Sequence, residues 1–164
     1  MNFGSYIHKI FEDGYKKTTL AELTVIAKEV KKDYKFSDEY IPKINICLKN
    51  FLRFNATLEE TVSAEMVYEV VQNKDKDINF NGVIDRVIKG SGGGYLVIDY
   101  KTSKREHTKL DMYQDRQMMG YAYAIHILLG VSLDQITCAH YYPLTNHFVP
   151  CKYSANQINV YIKE

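Results

Sequence analysis

Two carboxylates and a lysine stand at the ends of two apolar runs, Gly82–Val83–Ile84–Asp85–Arg86–Val87 and Tyr95–Leu96–Val97–Ile98–Asp99–Tyr100–Lys101. Side chains two apart on a strand share a face, so Asp99 and Lys101 lie side by side, with Leu96, Ile98 and Tyr100 on the opposite face. A hairpin through the glycine-rich segment 90–94 brings Asp85 beside Asp99. Two carboxylates a few Å apart near a core repel unless something positive lies between them, a lysine or a divalent cation. The plain alternative is a pair of strand-end salt bridges, Asp85–Arg86 and Asp99–Lys101, on a solvated face.

The elements that must position these groups are legible from periodicity. Phe3, Ile7, Ile10 and Phe11 recur at helical spacing and stop near Gly14. A second helix starts after Thr18 or Thr19 and points Leu20, Leu23, Ile26 and Ala27 inward; a third, capped by Ser37, carries Ile44, Ile46, Leu48, Phe51 and Leu52. Residues 64–72, 79–88 and 95–102 then read as a three-stranded antiparallel meander, separated by the turn-forming stretches 73–77 and 90–94. Helical spacing returns from about Leu110 to Leu129, where Gly130 is placed to end the helix. Residues 136–142 and 147–153 give two more strands, and a helix from Ser154 runs to the last residue, as expected of a domain cut from a longer chain.

Composition sets bounds. The 164 residues, 46% hydrophobic, suit one domain over 1–164 with a sizeable core. A net charge of +1 means that a polyanionic partner would need a local basic patch. Cys47, Cys138 and Cys151 are odd in number and lack any CxxC pair, which argues against a disulfide framework, an iron–sulfur cluster or a four-cysteine metal site and for reduced thiols in a cytoplasmic protein. No stretch has the length of a membrane span, and GxxxxGK[ST] is absent, so no bound nucleotide is expected.

The combination of GVIDR over 82–86, Asp99–Tyr100–Lys101 and, on the following helix, Gln117–Met118–Met119–Gly120–Tyr121 resembles the PD-(D/E)XK nucleases, and in particular their RecB-like branch of exonucleases and helicase-associated nuclease domains. Gly4–Ser5–Tyr6–Ile7–His8 matches the branch's G-x-x-x-H on the first helix, whose histidine is a metal ligand. The resemblance implies a restriction-endonuclease-like α/β fold: a central mixed sheet flanked by helices, with the metal site on the sheet's edge strands. It implies phosphodiester hydrolysis with Mg²⁺ or Mn²⁺ held by Asp85, Asp99, His8 and the Tyr100 backbone carbonyl. Lys101 then orients the attacking water and offsets developing charge, and Gln117 and Tyr121 contact Lys101 or the substrate backbone.

Gln114, Gln117 and Tyr121 are expected on one helical stripe, and Lys104, Arg105, Lys109 and Arg116 as a phosphate-tracking patch. Glu65 and Glu69 are further acids that match no motif. The implied function is a metal-dependent DNA exonuclease of repair, recombination or phage DNA processing, acting on single strands or duplex ends, with a helicase domain or subunit as a potential partner. Two other readings stay open: a catalytically silent nucleic-acid-binding module of the same fold, and a structural or interaction domain with solvated strand-end charges.

Overall fold

A computed structural model describes residues 2–73 and 78–163. Residues 74–77 of the turn expected at 73–77 lie outside the described residues. Two compact units emerge: Met1–Leu58 with Tyr100–Glu106 and Tyr141–Phe148, and Glu59–Asp99 with His107–His140 and Val149–Glu164.

In the first unit, α1 (Phe3–Gly14), α2 (Leu20–Lys31) and α3 (Ile41–Asn55) pack on one another. The apolar positions spaced three and four apart make their shared core: Ile7, Ile10 and Phe11 of α1, Leu23 and Ala27 of α2, and Cys47, Leu48 and Phe51 of α3 are all buried. Phe11 stacks on Phe51 with ring centres 3.9 Å apart, and Tyr100 meets Phe11 edge-on at 5.0 Å. Thr19 caps α2 through the Glu22 N–H. Ser37 precedes a short 3₁₀ turn, Asp38–Tyr40, and its hydroxyl makes no capping bond, in contrast to the expected cap of α3.

Among the described residues, seven strands form two sheets: β1 (Glu60–Ser63), β2 (Met66–Asn73), β3 (Ile78–Ile84), β4 (Arg86–Lys89), β5 (Tyr95–Tyr100), β6 (Ile136–Tyr142) and β7 (His147–Cys151). The order β1-β4-β5-β6-β7 gives a five-stranded mixed sheet, and β2 pairs with β3 in a sheet of their own. With the flanking helices this is the α/β class expected, restriction-endonuclease-like in arrangement. The expected three-stranded meander is corrected in one respect. The run 79–88 breaks at Asp85, so β3 belongs to one sheet and β4 to the other.

Gly90 donates to the Gly94 carbonyl, and Gly93, at φ +86°, closes the β4–β5 hairpin in the conformation that favours glycine. The expected helix from Leu110 to Leu129 is two helices, α4 (Lys109–Tyr113) and α5 (Arg116–Leu129), with Asp115 capping the second. Gly130, at φ +67°, ends α5 as expected. The last helix, α6 (Ala155–Lys163), starts after Ser154, whose hydroxyl accepts from the Gln157 N–H.

Candidate functional site

In the second unit, Asp85 occupies the bend where the chain leaves β3 and enters β4. The β4–β5 ladder runs from Lys89↔Tyr95 to Arg86↔Ile98, which makes Asp85 and Asp99 the next residues outward on the two strands. Directly opposed positions of an antiparallel pair share a face, so the two carboxylates belong together. Asp99 is 4% exposed and Arg86 3%, so neither sits on the solvated face that strand-end salt bridges would require. Arg86 donates through Nε and Nη2 to the Thr61 hydroxyl at 3.2 and 3.0 Å, which turns its guanidinium toward β1. A pair of hard oxygen donors, one of them nearly fully buried, is a set that fits Mg²⁺ or Mn²⁺. The strands that carry the pair are inner ones, β5 being the middle of five, rather than the edge strands expected.

Two glycines and a tyrosine hold this corner. A Cβ on Gly82, paired across from Tyr68, would lie 2.7 Å from the Tyr68 hydroxyl oxygen, so only glycine lets that ring cross the strand three residues before Asp85. Gly120 similarly leaves room for the Tyr161 ring of α6, whose hydroxyl would be 2.9 Å from an added Cβ. Tyr121, 5% exposed on α5, donates its hydroxyl to the Val83 carbonyl at 2.9 Å. Burial, and then the carboxylates of Asp99 and Asp85, hold this phenol well above its ordinary range, so it stays a neutral donor. Gln117 is exposed on the first turn of α5, while Gln114 caps the end of α4 and shares no helical stripe with it.

In the first unit, His8 on α1 brings Nε2 to 2.6 Å from the Tyr100 carbonyl oxygen, so the two expected non-carboxylate ligands stand together. Gly4, one turn earlier, permits this approach, because a Cβ there would lie 2.8 Å from the Thr102 hydroxyl. His8, Tyr100, Lys101 and Thr102 line a cleft of about 460 Å³ with Gly4 and Tyr40. Lys101 is partly exposed, and its backbone N–H donates to the Tyr141 carbonyl at 2.9 Å. Lys104 and Arg105 are exposed in this unit; Lys109 and Arg116 are exposed in the other, the Arg116 guanidinium lying 5.3 Å from the Tyr161 ring centre. Glu106 accepts from the Thr145 hydroxyl and pairs with His147 Nδ1, and these partners, Thr145 foremost, hold its carboxyl below the usual range.

One constellation is absent from the motif reading. His107, Asp115 and His140 converge in the second unit, with His107 Nδ1 3.4 Å and His140 Nε2 3.6 Å from Asp115 Oδ2. Asp99 Oδ2 is 3.7 Å from the same His140 nitrogen. The signal for it was a histidine in the middle of the otherwise apolar strand Ile-Thr-Cys-Ala-His-Tyr-Tyr, a position where a polar ring needs a reason.

The family model for the PD-(D/E)XK nuclease superfamily matches residues 1–150, a span that holds every motif residue from His8 to Tyr121 as well as His140. Among curated proteins none matches. Among solved structures, the crystal structure of SSO0001 is similar over 99% of this chain and 75% of that chain, at 13% identity and a TM-score of 0.37.

Proposed function

Because this chain belongs to the PD-(D/E)XK nuclease superfamily, we propose that it is a DNA exonuclease of the RecB-like kind, hydrolysing phosphodiester bonds at ends or in single strands with Mg²⁺ or Mn²⁺. The observation that carries this reading is the Asp85–Asp99 pair, set one residue beyond the β4–β5 ladder and walled from water on the Asp99 side. An ion held there would supply Lewis acidity to a phosphate oxygen and lower the pKa of a water.

The chain's own groups do the rest. Asp85 and Asp99 would be the carboxylate ligands, and the family resemblance implies His8 and the Tyr100 carbonyl as further ones. Lys101, two residues after Asp99, orients the attacking water and stabilises the charge that develops on the phosphoryl oxygens. Tyr121 is a positioning residue, since its hydroxyl is committed to the Val83 carbonyl and fixes the approach to Asp85. Gln117, exposed at the start of α5, contacts the substrate backbone. Lys104, Arg105, Lys109 and Arg116 contact phosphates, with a salt-dependent contribution to affinity. A helicase domain or subunit that delivers a single strand is the partner this activity would use, in repair, recombination or phage DNA processing.

The test is the product pattern from end-labelled linear and closed-circular DNA with Mn²⁺ or Mg²⁺. Loss of label from linear DNA alone, abolished in Asp99→Asn, is the expected result. Cutting of closed circles makes the protein an endonuclease, and binding of DNA without cleavage by the wild type overturns the catalytic reading in favour of a silent module.

A further inference from the structure

Three side chains that no nuclease motif accounts for meet inside the second unit: His107 from the segment before α4, Asp115 from the turn between α4 and α5, and His140 from β6. We infer that they bind one borderline transition-metal ion, Zn²⁺ by their ligand chemistry, at a site whose ligands differ from the Asp85–Asp99 set. One ligand atom from each of His107, Asp115 and His140 lies within 4.8 Å of the other two. His107 Nδ1 and His140 Nε2 are shielded from solvent, and His140 is wholly buried.

The spacing separates a metal site from a plain pair of ion pairs. A charge-assisted hydrogen bond closes to about 2.7–2.9 Å. Ligands of a tetrahedral ion with bonds of about 2.0–2.2 Å stand roughly 3.3–3.6 Å apart instead, along the edges of the polyhedron. The observed 3.4 and 3.6 Å from one Asp115 oxygen fall on those edges. Moreover, both imidazoles face the same oxygen, Oδ2, while Oδ1 accepts the Met118 N–H at 3.0 Å. The helix N-terminus therefore orients the carboxylate from behind, as the outer partner of a metal ligand does. Asp99 Oδ2 lies 3.7 Å from the same His140 nitrogen but does not belong to the three-residue cluster.

Two imidazoles with one carboxylate select Zn²⁺ over Mg²⁺, which prefers an all-oxygen shell. The His107 side chain is 36% exposed and gives the ion a way in. Held there, the ion ties His140 of β6 to Asp115 at the start of α5. The binding does not rest on the nuclease reading.

The experiment uses the full chain, stripped with a chelator and then titrated with Zn²⁺ or Co²⁺ in excess Mg²⁺. One equivalent of zinc is expected to remain after dialysis, and Co²⁺ should give the intense visible bands of a tetrahedral site. Asp115→Asn keeps a side chain that caps α5 but loses the anionic ligand, and His107→Ala removes a half-exposed ring. Each should weaken zinc binding by more than the roughly 10–100-fold that loss of an outer partner costs, with the circular dichroism spectrum unchanged. Asp85→Asn should keep the zinc while losing DNA cleavage, which separates this site from the proposed catalytic one. Absence of bound zinc in the wild type, displacement of Co²⁺ by Mg²⁺, or wild-type affinity in both His107→Ala and Asp115→Asn would overturn the assignment.

Discussion

The hydroxyl of Tyr121 donates to the Val83 carbonyl across 2.9 Å, so a helix that a motif would bring to the substrate instead grips the strand two residues before Asp85. Loss of this bond in Tyr121→Phe leaves the Val83 carbonyl with one partner fewer in a part-buried place, at a cost of about 1 kcal/mol. Denaturant melts will show that cost. A purely structural bond would leave the Mn²⁺ dependence of cleavage unmoved in the folded variant. Positioning of Asp85 requires a higher Mn²⁺ concentration for half-maximal rate.

Asp115 does two jobs that substitution can separate. Its Oδ1 accepts the Met118 N–H and caps α5, where a carboxylate also favours the helix dipole. Asp115→Ala should therefore cost about 1 kcal/mol in urea unfolding, while Asp115→Asn should unfold close to wild type, because asparagine caps equally well. If Ala and Asn unfold alike in metal-free protein, the cap contributes nothing to stability.

Glu106 links its own segment to the Thr145–His147 turn within the first unit. Its carboxyl is depressed by the Thr145 hydroxyl and then by His147, so its contribution is fully present above the ordinary carboxylate value and is lost as pH falls through the lower folded value. Thermal melts of wild type and Glu106→Gln should thus differ near neutrality and converge in acid. A difference that persists unchanged to the lowest pH at which both fold would remove this linkage.

Local chemistry made much of the molecule legible before any coordinates. Helix starts at Thr19 and Ser154, the stop at Gly130 and the glycine hairpin before Tyr95 all follow from single residues whose backbone or capping needs are specific. Sheet membership was not legible, since nothing within the run 79–88 says that its two ends pair with different partners. β1 was missed because Glu60–Ser63 offers four residues and no buried alternation strong enough to read. The Asp85–Asp99 pair came from strand ends and a hairpin, a short-range inference. The His107–Asp115–His140 cluster joins a loop, a helix cap and a strand core, and each residue alone has an ordinary explanation, so only the fold brings it out.

Lys101 is where a structural and a catalytic role make opposite demands. Its backbone is anchored by the N–H bond to the Tyr141 carbonyl, so changing the side chain leaves that tie intact. A half-exposed ammonium that serves only a surface pairing contributes at most ~1 kcal/mol, and Lys101→Ala would then leave cleavage nearly unchanged. An ammonium that orients water and offsets charge in the transition state is worth far more to rate than to folding. Lys101→Ala should then lower single-turnover cleavage roughly 10²-fold or more at saturating Mn²⁺, with the melting temperature close to wild type. Lys101→Arg should fail to restore the rate, because a planar guanidinium cannot take the place of a compact ammonium beside a bound water. Single-turnover cleavage of a labelled oligonucleotide by wild type and both variants decides the matter: near-wild-type rates in Lys101→Ala would take Lys101 out of the mechanism.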